Sequence, residues 1–220
     1  MADTPLISVV VPVRAGESVD LTMGSLMAQT CRDFEVHVVI DKDGRGAPWA
    51  RNRGAECARG EYLLFSDADV NWDKTALACM VDALAAREAT ESALCILGKP
   101  PHFRTAYAFG GKIITGAPGG DIGPVANKPW DYAELHHHNM VDTGALMLRE
   151  AFLGWDESLR RLQDWDLFLR MARTHHFRGQ WVGKVLTTTP YRADGISFNG
   201  SGLTYTEARD IVLRKHGLIP

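Results

Sequence analysis

The first hundred residues predict an α/β fold with a sheet wound between helices, and three observations carry that prediction. Leu6 to Val13 (LISVVVPV) is a continuous apolar run, the pattern of a strand buried on both faces of a largely parallel sheet. Two more short strand patterns follow, Phe34 to Ile40 (FEVHVVI) and Glu61 to Ser66 (EYLLFS). Stretches with apolar or small residues at helical spacing follow each of the three, giving a β-α-β-α-β-α order.

The spacing of Val19, Met23, Leu26 and Met27 predicts a first helix over Glu17 to Gln29. A second is predicted over Pro48 to Arg59. Pro48 suits a first turn, Ala50, Ala55 and Ala58 make a small-residue face, and Gly60 closes it. Leu77, Met80, Val81 and Leu84 mark a third, with Asp73 as its N-cap. Gly98 to Pro129 holds seven glycines and five prolines in 32 residues, which predicts a poorly structured segment with at most a short strand near Lys112 to Thr115. Beyond it, Met140 to Leu148 reads as a strand, and Leu162 to Thr174 as a helix with Trp165, Phe168, Leu169 and Ala172 on one side. Trp181 to Thr187 reads as a further strand. Thr204 and Glu207 form a capping box for a last helix to about His216.

The 220 residues fit one domain, long enough to bury a core without disulfides or a structural metal. The chain has 24 Lys+Arg against 27 Asp+Glu, a net charge of −3, which argues against a general nucleic-acid binder. No apolar run approaches the ~20 residues of a membrane span. The N-terminus lacks the pattern of a secretory signal, so a cytoplasmic location is expected. Cys31, Cys57, Cys79 and Cys95 form no C-x-x-C pair, so free and mostly buried thiols are expected.

In wound α/β sheets, ligands bind beyond the carboxyl ends of the strands. Two acidic clusters fall there, Asp41/Asp43 and Asp67/Asp69. Residues i and i+2 of an extended segment point the same way, so Asp67 and Asp69 repel unless a cation or water lies between them. A hard divalent cation with oxygen ligands suits such a pair, and the alternative is two solvated loop aspartates. Asp41 suits an N–H of a base or a ribose hydroxyl, or else a turn. Asp164, at the start of a helix, is either a general base or an N-terminal cap. Asp166 lies about 200° further round, so the two cannot share a role. His136, His137 and His138 diverge as neighbours, so at most one or two reach a common point; they are solvated loop histidines, or one of them touches an acceptor or phosphate. Gly-x-x-x-x-Gly-Lys-Ser/Thr, G-x-S-x-G and G-x-G-x-x-G are all absent, which argues against a P-loop nucleotidase, an α/β-hydrolase and a Rossmann dinucleotide site.

Taken together, the pieces resemble the family 2 glycosyltransferases, inverting enzymes of the GT-A fold. ISVVVPV looks like that family's opening strand. Ala50-Arg51-Asn52-Arg53-Gly54 with Ala58-Arg59-Gly60-Glu61-Tyr62 is similar to its A-R-N-x-G…A-x-G-E-Y segment. Asp67-Ala68-Asp69 matches its D-x-D, Asp164 of Gln163-Asp164 its E-D pair, and Tyr191 to Ser197 its late Y-R-x-H-x-x-S stretch. Gln163 and Asp194 depart from the usual Glu and His, and the usual long C-terminal extension is absent.

The resemblance implies a single GT-A domain with a doubly wound mixed sheet. Residues 1–97 would bind the nucleotide-sugar; residues 98–220 would shape the acceptor site, with 98–129 a mobile loop. It implies transfer from a nucleotide-sugar, UDP-linked as first choice, to an acceptor hydroxyl on a carbohydrate, lipid-linked or protein acceptor. Pro12, Asp41, Arg51, Asn52, Asp67 and Ala68 are then nucleotide-binding. Asp69, Asp67 and Asp194 are ligands of Mn²⁺ or Mg²⁺, and Asp164 is the base. Arg51 has the alternative of pairing with a carboxylate at the sheet edge. The competing functions are a sugar-nucleotide nucleotidyltransferase and a non-catalytic, transferase-like binding domain.

Overall fold

The computed structural model describes residues 4–97, 101–193, 195 and 201–220. The elements run β1 (Ile7–Arg14), α1 (Asp20–Met27), β2 (Phe34–Asp41), α2 (Ala47–Cys57), β3 (Tyr62–Phe65), β4 (Asn71–Trp72) and α3 (Ala76–Ile96). They continue with β5 (Arg104–Thr115), β6 (Ile122–Val125), α4 (Tyr132–Leu135), β7 (Leu146–Leu148), α5 (Gln163–His175), β8 (Phe177–Pro190) and α6 (Tyr205–Lys215). The strands form a mixed sheet in the order β2-β1-β3-β7-β5-β8-β4, with β6 paired to β5. β1 is parallel to β2 and β3, and β5 is parallel to β8. β7 lies antiparallel between β3 and β5, so it joins the two parallel sets and brings its N-terminal end to the side where their strands finish.

Alternation along the buried strands feeds two apolar layers. Val10, Leu63 and Phe65 face one, with Tyr107, Met147, Trp165 and Phe168. Val9, Val11 and Leu64 face the other, with Leu26, Leu77 and Met80 from α1 and α3. Each such buried Val, Leu or Phe contributes roughly 1.5–3 kcal/mol relative to exposure. The last helix starts in the capping box its sequence predicts: Thr204 Oγ1 accepts from the Glu207 N–H, and Glu207 accepts from the Thr204 N–H.

Several elements differ from the sequence reading. The glycine- and proline-rich segment holds a twelve-residue strand, β5, inside the sheet. The two glycines inside β5 serve close packing rather than turning: a Cβ on Gly110 would lie 2.3 Å from Leu186, and one on Gly111 2.8 Å from the Asn127 side chain. The strand expected over Met140 to Leu148 is confined to Leu146–Leu148, because Asp142 to Gly144 turn ahead of it. Helix α1 is shorter than expected. Thr75, not Asp73, flanks α3; Asp73 instead accepts from the Thr75 N–H and hydroxyl. The cysteines are free, but Cys57 and Cys95 are exposed and Cys31 and Cys79 half-buried, so the expectation of mostly buried thiols is corrected.

Candidate active site

The topology gathers the polar residues. β3 ends at Phe65 and leads directly into Ser66-Asp67-Ala68-Asp69. In the β3–β7 ladder Leu64 faces Leu146, and continuing that register sets Ser66 and Asp67 beside Gly144 and Thr143. In the β5–β7 ladder Ala108 faces Leu146, and the same continuation sets Lys112 beside Asp142. The register of β5 against β8 shifts between Gly111 and Lys112, an irregularity of the kind that re-aims side chains next to sites. Asp67, Lys112, Asp142, Thr143, Gly144 and Thr187 consequently line one narrow cleft at this end of the sheet.

Asp67 is held by Arg51, whose Nη2 lies 2.5 Å from Asp67 Oδ1. Arg51 is itself buried on α2, with its guanidinium 4.9 Å from the Trp155 ring. Burial opposes ionisation of Asp67, but the charges of Arg51 and Lys112 outweigh it and hold the carboxyl below its usual range. Asp69 behaves oppositely: burial and the neighbouring Asp67 charge push its pKa up. Among the described residues the cation paired with it is Arg192, 3.8 Å away, and Arg192 is also bonded to Glu17 at 2.6 Å. Asp69 is thus the carboxylate whose ionised form calls for another cation. No group of three His, Cys, Asp or Glu side chains able to hold a metal occurs among the described residues. Two carboxylates with open coordination fit a hard divalent ion whose remaining ligands are oxygens of a bound phosphate. Asp194, expected as a third ligand, lies outside the described residues.

Asp164 and Asp166 have different surroundings, as their angular separation requires. Leu162 adopts a left-handed conformation (φ 60°) and turns the chain into α5, so Asp164 sits in the first helical turn. Its Oδ2 accepts from Asn139 Nδ2 at 2.9 Å and its Oδ1 from the Trp165 N–H at 3.0 Å. Burial and the charge of Asp142 nevertheless raise its pKa to about 6. Desolvation and a like charge thus outweigh the favourable dipole of the helix N-terminus, and a pKa of about 6 still leaves the carboxyl mostly ionised at pH 7. Asp166 is fully buried and meets Arg170 of its own helix at 2.9 Å, and Lys215 at 2.6 Å and His216 at 2.9 Å, which tie α5 to the end of α6. Despite its burial, the bonds from His216 and Lys215 bring its pKa down to about 2.

The remaining expected residues divide. Asp41 ends β2 and is spent on its own loop, accepting from the Arg45 N–H at 2.9 Å and the Gly46 N–H at 2.6 Å. Asn52 is bonded to the 155–157 segment. Its side chain clamps the backbone N–H and carbonyl of Trp155 and bonds Glu157. Pro12 is buried within β1, opposite Val39, and Ala68 is buried between the two aspartates. His137 and His138 are exposed, while His136 packs on Tyr132 with ring centroids 4.5 Å apart. Trp155 and Trp165 belong to the core.

The sequence reading passed over Lys112 and Asn139, which the structure sets beside Asp142 and Asp164. Lys112 Nζ bonds Asp142 Oδ1 at 2.9 Å. Burial disfavours its charge, yet Asp142 and Asp67 raise its pKa. The available signals were a lysine after two glycines inside a strand, and an Asp-Thr-Gly turn leading into one. Asn139 also lines a second cavity of about 200 Å³ with Pro124, Ala126, Asn127, Lys128 and Met140. This space adjoins Asp164 through the Asn139 amide.

Comparison with known proteins bears on the family and the fold. The sequence model of Glycosyl transferase family 2 matches residues 23–153, more than half of the chain. The amylovoran biosynthesis glycosyltransferase AmsB of Erwinia amylovora is 25% identical over 197 residues, 74% of this chain and 62% of its own length. Among solved structures, S. aureus TarS 1-349 in complex with UDP-GlcNAc superposes with a TM-score of 0.64 at 18% identity, covering 96% of this chain and 65% of that one. The mannosyltransferase PcManGT of Pyrobaculum calidifontis, with GDP-Man and Mn²⁺, gives 0.52 at 17% identity, covering 86% and 57%. The chain thus spans less than two thirds of the length of each of these relatives. The curled mixed sheet between helices is the GT-A fold of these neighbours, and the chain belongs to glycosyl transferase family 2.

Proposed function

We propose that the chain transfers a sugar from a nucleoside diphosphate donor, UDP-linked as first choice, to an acceptor hydroxyl with inversion at the anomeric carbon. The observation that carries this reading is the pairing of two unlike carboxylate environments at one end of the sheet. Asp67 and Asp69 lie beside Arg51 and Arg192, a setting for a diphosphate. Asp164 sits across the Asp142 turn with its pKa raised to about 6, poised to take a proton near neutral pH. Asp69, with Asp67 beside it, would hold Mn²⁺ or Mg²⁺, which when bound offsets the charge of the departing diphosphate. Arg51 holds Asp67 in place. Asp164 removes the proton of the acceptor hydroxyl, with Asn139 fixing the orientation of its carboxylate. The cavity beside Asn139 is the acceptor side, and residues 116–129 above it act as the mobile part. Asp41 shapes the loop that faces the base of the nucleotide.

The test is a panel of UDP-, GDP- and dTDP-hexoses with and without Mn²⁺, read by thermal shift and by release of the nucleoside diphosphate. A donor that binds the folded state raises the melting temperature. Metal-dependent diphosphate release and an inverted product by NMR support the reading. Pyrophosphate formation would instead indicate nucleotidyl transfer, and binding without turnover a non-catalytic domain.

A further inference from the structure

The geometry points to the Lys112–Asp142 pair as the element that recognises the hydroxyls of the transferred sugar and so sets donor-sugar selectivity. This rests on the glycosyl-transfer reading above. An inverting displacement needs the anomeric carbon between the departing diphosphate and the base. The sugar ring then occupies the space flanked by Asp67 and Asp69 on one side and Asp164 on the other. Lys112 and Asp142 line the cleft that holds Asp67, and their charges reach Asp164 as well.

The pair is poorly explained as a stabilising device. Its side chains are only 12% and 25% exposed, and a desolvated ion pair commonly adds little to stability compared with apolar residues of the same volume. Its hydrogen-bonding capacity is also left open. An ammonium has three donors, and among the described residues Lys112 uses one, on Asp142 Oδ1. Among the described residues Asp142 Oδ2 receives only the Gly144 N–H, at a long 3.4 Å. Two donors and one carboxylate oxygen therefore remain side by side at the foot of the cleft. Adjacent ring hydroxyls match that set: one donates to Asp142 Oδ2 while its neighbour accepts from Lys112 Nζ. A nucleoside diphosphate without the sugar has no group to offer there. The register shift at Gly111/Lys112 supplies the local reason a strand lysine is aimed at this point.

The experiment compares wild type with Asp142→Asn, Lys112→Gln and the double variant. The double variant removes both charges and so leaves no buried ion unpaired if a single change unfolds the chain. Calorimetry measures the affinity for UDP and for the donor that wild type turns over best. Competition assays measure the kcat/KM ratio between that donor and its C4 epimer. We expect UDP affinity within about twofold of wild type, loss of at least tenfold in the extra affinity of the intact donor over UDP, and collapse of the epimer ratio towards unity. Unchanged epimer ratios in folded variants, or an equal loss of UDP binding, overturn the assignment. A wild-type chain that turns over no nucleotide-sugar overturns the transfer reading itself and this inference with it.

Discussion

Asp164→Asn should make the protein more stable and less active at once. A carboxyl whose pKa rises from 3.8 in the unfolded chain to about 6 in the fold is charged in an environment that disfavours the charge. Between about pH 4 and 6 the folded chain keeps a proton that the unfolded chain has lost, so stability falls as pH rises through that window. At about 1.4 kcal/mol per pKa unit, the full penalty above pH 6 is roughly 3 kcal/mol. In the amide the one remaining oxygen accepts from the Trp165 N–H, the NH2 pairs with Asn139 once that side chain turns its Oδ1 inward, and partial exposure reduces the net figure to about 1–2 kcal/mol. For a domain of this size that corresponds to about 2–8 °C in melting temperature. Differential scanning calorimetry at pH 7.5 should show the variant melting higher, with the gap closing near pH 4. Transfer should drop by ~10²–10⁴-fold, the usual loss for a general base. In wild type, kcat/KM should fall roughly tenfold from pH 7 to pH 5 as the ionised fraction goes from about 91% to about 9%. A variant that melts lower than wild type at pH 7.5, or transfers within tenfold of it, would refute the reasoning.

Asp69→Ala should abolish metal-dependent turnover with little change in melting temperature, measured as UDP release with Mn²⁺ against chelator; full activity in chelator would remove the metal from the scheme. Asp166→Ala strips one carboxylate from Arg170, Lys215 and His216 and should destabilise the fold by about 3–5 kcal/mol, checked by urea unfolding. Asp41→Ala releases two loop N–H bonds and should weaken UDP binding in calorimetry; equal affinity would move the base elsewhere. Hydrogen exchange across residues 116–129 should slow when donor binds, and identical protection in both states would make this a fixed surface.

The sequence revealed those parts of the fold whose reason is local. The LISVVVPV run, the Thr204/Glu207 box and the carboxylates after the third strand needed no distant partner to be read, and β1, α6 and the Asp67–Asp69 turn lie where those patterns put them. Non-local causes stayed hidden. Gly110 and Gly111 look like breakers until Leu186 and Asn127 are seen pressed against them. Lys112 and Asp142, thirty residues apart, meet only because β7 inserts antiparallel beside β5. Asn52 carries a family-like motif, yet its use as a clamp on Trp155 depends on a loop a hundred residues away. The elevated pKa of Asp164 is likewise a property of its neighbours, not of its place in a helix.

The reversed strand β7 has a consequence for how the chain is made. β3 has two neighbours, β1 and β7, and β7 begins about eighty residues after β3 ends. At roughly 5–20 residues per second, a ribosome leaves the β3 edge uncovered for about 4–16 s after Phe65 is synthesised. During that interval Leu63 and Leu64, buried in the finished protein, flank an open ladder of N–H and carbonyl groups. The nascent amino-terminal portion is then a sticky intermediate rather than a finished lobe. Cutting the gene near residue 97 to obtain a free-standing nucleotide-binding fragment should yield aggregates.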